Sequence, residues 1–255
     1  MKNWEKVKEL VLEAGEIVKR NWLKPREINF KGEIDLVTNT DLEVENFLTW
    51  NLKQLFPQAS FLAEESALHL TLGEETFILD PLDGTTNFAH GFPFVAISLA
   101  YAYQKEIVAS FLYLPILNEL FLAQKGEGAF LNEKPISVSK ERDLNKSLIA
   151  TGFPYSIRQE VDEVLSWMKK ILLHTQGLRR AGAAAIDLAY VACGRFEGFY
   201  EVGLKPWDTA AGWLLVEEAG GKVSTFANKP YELGHREILA TNGLIHSDLS
   251  RLLTS

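Results

Sequence analysis

Asp80 and Asp83 close an apolar run, Phe77-Ile78-Leu79, inside the stretch Asp80-Pro-Leu-Asp-Gly-Thr-Thr-Asn-Phe-Ala-His-Gly-Phe-Pro93. Two carboxylates with a backbone carbonyl between them, at a strand end, suit a hard divalent cation. Such cations take oxygen ligands, and magnesium keeps positions for water and substrate phosphate. Gly84-Thr85-Thr86 follows directly and can open a helix whose free N–H groups face an anion. The segment therefore offers a metal seat and a phosphate seat side by side. Asp-Pro and Asp-Gly are also ordinary turn dipeptides, so the metal reading needs acids from elsewhere.

The chain supplies them. Glu64-Glu65 ends the short apolar piece that begins at Ser60, and Asp208 follows Pro206-Trp207. Each has a plainer reading on its own: a solvated loop for Glu64-Glu65, a helix N-cap for Asp208. Taken together they give the carboxylates from separate elements that a multi-metal phosphotransfer site requires. A protein nucleophile is not indicated, since there is no convincing Cys/His pair and no Gly-x-Ser-x-Gly turn. The five histidines show no close metal-ligand spacing, and His90 reads as a surface or packing residue.

These residues need elements to hold them. Trp4, Val7, Val11, Ala14, Val18 and Trp22 recur at helical spacing and predict a first amphipathic helix. Thr40-x-x-Glu43 has the capping-box pattern, and Val44, Leu48, Leu52 and Leu55 predict a second helix behind it. Asp41 then falls in that helix's first turn, where an acid meets the dipole well. Residues 94–103, 107–114, 119–123 and 128–131 read as short strands separated by turns, an antiparallel meander. After about residue 145 the texture alternates. Strands are expected at 147–151 and 196–201, near Val223 and at 238–240. Helices are expected at 160–173, at 183–193 closed by Gly194, at 208–218 closed by Gly220-Gly221, and from Leu244 onward.

Composition bounds the rest. The chain has 255 residues, 47% hydrophobic and 24% charged, with a formal net charge of -8. Those values are ordinary for a soluble globular protein. No Lys/Arg block makes a nucleic-acid stripe, so no nucleic-acid partner is indicated. Cys193 is the only cysteine, which excludes an intrachain disulfide and a thiolate zinc site. The start has no apolar h-region and no apolar run is long enough to span a bilayer, so a cytoplasmic enzyme is expected. Residues 1–255 are read as a single unit, with approximate halves 1–144 and 145–255 and the site between them.

With these residues in place, the chain resembles the inositol monophosphatases of the lithium-sensitive, magnesium-dependent phosphatase superfamily. The resemblance rests on the stretch from Asp80 to Pro93, on Trp207-Asp-Thr-Ala-Ala-Gly212 with Glu217-Glu-Ala-Gly-Gly221, on Glu64-Glu65-Ser66, and on Asp35-Leu-Val-Thr-Asn-Thr-Asp41. It implies an α/β (α+β) fold, a layered αβαβα sandwich, working as a homodimer inhibited by lithium. It implies a Mg2+-dependent hydrolase that cleaves myo-inositol 1-phosphate, with two to three Mg2+ per site. Glu64, Asp80 and the carbonyl of Leu82 match ligands of a first ion. Asp80, Asp83 and Asp208 match those of a second, and Glu64 also serves a third. Gly84 and Thr85 match the backbone N–H groups that hold phosphate, and Asp41 with Thr85 the pair that orients the attacking water. Glu201 matches a residue that binds substrate hydroxyls; Gly182, Ala183 and Ala184 match the segment along the substrate ring.

Some positions depart from the animal members of that family. Ala183 stands where a hydroxyl residue is common, and Phe153-Pro154-Tyr155 replaces a small polar stretch. Arg180, Lys205 and Pro206 also differ. Tyr155, Arg180 and Lys205 are candidates to reach a second phosphate, as in relatives that also cleave fructose 1,6-bisphosphate, with loop packing or subunit contact as their plain reading. Histidinol phosphate is a further candidate substrate. A regulatory binding protein that keeps the fold is the reading from outside enzymology.

Overall fold

The computed structural model describes residues 3–22, 24, 28–30, 36–67 and 71–255. Asp35 lies outside the described residues. In chain order the helices and strands are α1 (Trp4–Trp22), β1 (Ile28–Phe30), β2 (Leu36–Thr38), α2 (Asn39–Leu55), β3 (Ser60–Ala63), β4 (Glu75–Asp83) and α3 (Thr85–His90). A meander follows: β5 (Ala96–Tyr103), β6 (Glu106–Leu114), β7 (Glu119–Gln124), β8 (Gly128–Leu131) and β9 (Lys134–Ile136). The remainder alternates: β10 (Leu148–Thr151), α4 (Ile157–His174), β11 (Gly177–Arg179), α5 (Ala184–Ala192), β12 (Gly198–Val202), α6 (Pro206–Glu218), β13 (Lys222–Ser224), β14 (Glu237–Thr241) and α7 (His246–Thr254).

Among the described residues these strands make a β1-β2 pair, a seven-stranded sheet in the order β3-β4-β5-β6-β7-β8-β9, and a five-stranded sheet in the order β11-β10-β12-β14-β13. β3 runs parallel to β4, and the rest of the larger sheet is antiparallel, as the meander pattern predicts. In the smaller sheet β10 is parallel to both β11 and β12. Parallel neighbours need long crossovers, and α4 and α5 supply them.

The central strands are buried on both faces, and alternation decides which core each side chain joins. Phe77, Leu79, Leu99 and Tyr101 meet α1 and α2 through Val11, Val18, Val44 and Leu48. Ile78, Ala100 and Leu112 point the other way, to Leu188 of α5 and Leu215 of α6. The same two helices meet Ala150, Phe199 and Ala240 of the smaller sheet. Ile149, Tyr200 and Leu239, one residue out of phase, face Val164 and Trp167 of α4 and Leu249 of α7. The result is an αβαβα sandwich with α5 and α6 as its central layer. Each large apolar side chain buried this way contributes about 1.5–3 kcal/mol.

The start of α2 differs from the sequence expectation. The capping box is Thr38 with Asp41, not Thr40 with Glu43. Thr38 is extended, with φ -113 and ψ 164, and its hydroxyl accepts from the Thr40 N–H while Asp41 Oδ2 accepts from the Thr38 N–H at 2.9 Å. Glu43 is used elsewhere: it accepts from Asn21 Nδ2 at 2.8 Å and pairs with Arg20, tying α2 to α1. α6 also starts earlier than expected, at Pro206, because proline is well suited to a helix's first turn. Asp208 is therefore the third helical residue rather than the N-cap. Short strands β1, β2, β9 and β11 have no counterpart in the sequence reading, and α7 begins at His246 rather than Leu244. Among the described residues no helix is long and apolar enough to cross a membrane.

Candidate active site

Strand β4 does not end cleanly. Asp80 pairs with Ser98 and Asp83 with Ala96, so three steps on β4 face two on β5. Such a bulge re-aims side chains and is common beside active sites. Here it turns both acids toward one pocket of about 290 Å³. Pro81, which has no N–H to give the ladder, sits in the bulge. The turn closes at Gly84, whose φ of +91 favours glycine. A Cβ there would also lie 2.7 Å from the Phe94 carbonyl oxygen. Helix α3 starts at the next residue, with Thr85.

The pocket collects the ends of other elements. Glu64 follows β3, its N–H donating to the Leu79 carbonyl at 3.1 Å. Asp208 comes from the first turn of α6, and Ser98 holds that turn by donating to the Trp207 carbonyl at 3.1 Å. Gly182, Ala183 and Ala184 lead into α5, and Glu201 comes from β12. Every residue singled out from the sequence as a metal, phosphate or ring contact lines this pocket. Asp41 stands behind it, accepting from Thr85 Oγ1 at 2.9 Å.

Backbone amides hold three of the acids by one oxygen each. Asp80 Oδ1 accepts from the Leu82 N–H at 2.9 Å, Asp83 Oδ2 from the Ala185 N–H at 2.7 Å, and Asp208 Oδ2 from the Lys205 N–H at 2.6 Å. Such bonds fix the direction of a carboxylate without neutralising it. The electrostatics register the crowding. Burial pushes Asp80 well above the usual carboxylate range, and Glu64, Asp83 and Asp208 push it further. Asp83 is raised to about 7, chiefly by burial, with the Ala185 N–H opposing and Glu64 adding to the rise. Glu201 is raised by burial, then by Asp208.

This set of acids fits hard cations. Like charges this close must hold protons or meet positive charge. The donors are all oxygen, with no histidine or cysteine on the pocket wall, which selects magnesium-type ions over zinc. Among the described residues no three such side chains converge tightly enough to form a finished cage. They meet as an electrostatic cluster that bound ions would draw together.

The positions that depart from the animal family lie at one side. Phe153, Pro154, Tyr155, Arg180 and Lys205 line the pocket, and the Arg180 guanidinium stacks on the Phe153 ring at 4.8 Å. Pro206 does not join them, being buried at the start of α6. His90 ends α3 and does not line the pocket.

Sequence reasoning passed over three supporting residues. Asn87 Nδ2 donates to the carbonyls of Phe94 at 2.8 Å and Ala181 at 2.9 Å, pinning α3 to the segment before α5. Ser98 carried a signal, a hydroxyl inside an apolar strand. Gly152 carried none. Its Cα faces the Glu201 carboxylate so closely that a Cβ would lie 2.1–2.3 Å from it.

Comparison with known proteins agrees over the full length. A model of the inositol monophosphatase family matches residues 2–254. A Dictyostelium discoideum protein named inositol monophosphatase is 41% identical, covering 96% of this chain and 92% of its own. A Salmonella typhimurium protein named Nus factor SuhB is 40% identical, covering 90% of this chain and 85% of its own. The crystal structure of extragenic suppressor protein suhB from Bartonella henselae superposes with a TM-score of 0.92 at 39% identity, covering 97% of this chain and 96% of that one.

Proposed function

The chain belongs to the inositol monophosphatase family, a family of metal-dependent phosphatases, and on that premise we propose that it hydrolyses myo-inositol 1-phosphate to inositol and phosphate. The observation that carries this reading is the meeting of Asp80, Asp83, Glu64 and Asp208 in one pocket beside the first turn of α3 and the Thr85–Asp41 pair. Phosphate monoesters hydrolyse extremely slowly unaided, so a very large rate enhancement is needed. Glu64, Asp80, the Leu82 carbonyl, Asp83 and Asp208 would hold two to three magnesium ions. Such ions supply positive charge for the phosphoryl oxygens and make water acidic enough to attack near neutral pH.

The chain's own groups do the rest. Gly84 and Thr85 offer backbone N–H groups to the phosphate, where charge spreads during transfer. Thr85 has one hydroxyl hydrogen and two acceptors in reach, Asp41 Oδ1 at 2.9 Å and the Leu82 carbonyl at 3.1 Å. With its hydrogen given to Asp41, the Thr85 oxygen would accept from the attacking water, and the Leu82 carbonyl would remain available to help hold an ion. Glu201 receives the substrate's hydroxyls, and residues 182–184 line its ring. We take the working unit to be a homodimer of single-unit chains.

Arg180 and Lys205 on the pocket wall favour a second reading, a sugar bisphosphatase or an enzyme that accepts both substrates. Phosphate release from inositol 1-phosphate and fructose 1,6-bisphosphate, measured side by side with magnesium, separates them. A kcat/KM ratio favouring inositol 1-phosphate supports the main reading; a ratio favouring the bisphosphate overturns it. The name of the Salmonella relative, Nus factor, favours a role as a binding partner as well. The matched metal ligands are all present, which favours a working enzyme that carries any such role in addition.

A further inference from the structure

The face of the larger sheet that meets α6 is apolar, with Ile78, Ala100 and Leu112 on it, yet it carries two buried hydroxyls. Ser98 on β5 is 1% exposed and Ser110 on β6 is fully buried. A buried hydroxyl needs a partner, and both find theirs on the same helix. Ser98 Oγ donates to the Trp207 carbonyl at 3.1 Å, and Ser110 Oγ donates to the Ala211 carbonyl at 2.9 Å. These two carbonyls stand about one helical turn apart. The serines therefore pin one side of α6 to two adjacent strands.

The two bonds are alike in chemistry but differ in what they hold. The Trp207 carbonyl belongs to the peptide unit that carries the Asp208 N–H, and that unit is planar. Gripping it sets where the Asp208 Cα lies. The Ala211 carbonyl is a turn further on, and Ala211 does not line the pocket. Ser98 is also the register partner of Asp80 across β4 and β5, so the two side chains share one face of the sheet. Asp208 has a further bond, from the Lys205 N–H to its Oδ2, but that bond stays within the start of α6. It does not relate the helix to the sheet, whereas the Ser98 bond does.

We propose that Ser98 is a positioning residue for metal binding, which fixes the Trp207–Asp208 peptide beside Asp80 so that the two acids meet a cation together. Asp80 and Asp208 hold magnesium in the reading above, and the proposal rests on that reading. Ser98 does not line the pocket, so it acts through Asp208 and touches neither substrate nor ion. Losing a residue that orients a metal ligand typically costs about 10–100-fold in metal affinity.

Ser98→Ala and Ser110→Ala, each in the full chain, test it. Thermal melting without substrate is followed from EDTA through a magnesium series, and kinetics on inositol 1-phosphate over the same series. Each variant loses one buried hydroxyl–carbonyl bond, so the two should lose similar amounts of Tm in EDTA. Their responses to magnesium should differ. Ser98→Ala should need about tenfold more magnesium, or beyond, for the same rise in Tm and for half-maximal activity. Its kcat at saturating magnesium should stay within about threefold of the wild type, because the ligands themselves remain. Ser110→Ala should respond to magnesium within about twofold of the wild type. An unchanged magnesium response in Ser98→Ala overturns the proposal. So does an equal loss in both variants, which makes the role one of general packing. A Ser98→Ala chain that fails to fold also overturns it, because the hydroxyl would then determine the fold rather than the site. A wild type whose Tm ignores magnesium removes the underlying reading and the proposal with it. A wild type that responds, beside an unaffected Ser98→Ala, removes the proposal alone.

Discussion

Thr85 Oγ1 donates to Asp41 Oδ1 at 2.9 Å, joining the first turns of two helices that start 46 residues apart in sequence, at Asn39 and Thr85. The other Asp41 oxygen is held by the Thr38 N–H. Asp41 is buried, at 1% exposed, and its carboxyl is pushed up by that burial while the Thr38 and Thr85 bonds pull it back. The pair therefore fixes the direction in which the Thr85 oxygen faces.

Thr85→Ala should lower kcat by about 100-fold or more with little change in KM, the usual scale for losing a positioned proton-transfer group. Thr85→Ser, which keeps the hydroxyl, should retain most activity. Steady-state kinetics of the two variants checks this. Equal losses in both would assign Thr85 a packing role.

Asp208→Asn separates two readings of one residue. Asp208 accepts the Lys205 N–H at the start of α6, and an Asn carbonyl can do the same. The helix should form and the melting temperature should hold, while activity is lost with the charge. Asp80→Asn should also abolish turnover. It should raise the melting temperature of the metal-free protein, because it removes an acid raised by burial and by three neighbouring carboxylates. Activity that survives either change contradicts the metal assignment.

Stability should depend on pH in a direction opposite to that of most paired carboxylates. Asp83 is raised from 3.8 to about 7, and Asp80 and Glu201 are raised as well. The folded state then holds protons the unfolded chain has released. By linkage, stability is lost as pH rises from about 4 through about 7. The metal-free melting temperature should be lower at about pH 8 than at about pH 5.5. Added magnesium competes with protons for the same oxygens, so it should stabilise more at the higher pH. Melting curves in EDTA and in magnesium at both values check the sign.

Gly152→Ala puts a methyl group where the Glu201 carboxylate lies. Glu201 must move, and hydrogen bonds to a charged group contribute about 1.5–3 kcal/mol. KM for inositol 1-phosphate should rise roughly tenfold to a hundredfold, with kcat far less affected. An unchanged KM would mean that Glu201 does not meet the substrate.

Much of this site was legible because its chemistry is local in sequence. Asp80, Leu82, Asp83, Gly84 and Thr85 are adjacent, and a strand end followed by a tight turn leaves few ways to aim them. Helices α1 and α2 were visible through the spacing of their apolar residues, and α5 through the Gly194 that closes it. What escaped notice depends on contacts between distant segments. Thr40 and Glu43 match the capping pattern as well as Thr38 and Asp41 do, and only the Glu43 contacts with Asn21 and Arg20 show why the box forms earlier. Pro206 moved the start of α6 ahead of Asp208. Strand β11 has too few residues to show a period; it exists because β10 offers an edge. Asn87 and Gly152 look ordinary until the fold places Ala181 and Glu201 beside them.

The central claim is that this cluster of carboxylates works through bound metal to cleave a phosphate monoester. Phosphate released by the full chain from myo-inositol 1-phosphate, in magnesium, after EDTA, and after magnesium is restored, tests it most directly. The account predicts release with magnesium, none with EDTA, and recovery on restoration. Release that persists at the same rate in EDTA would contradict it.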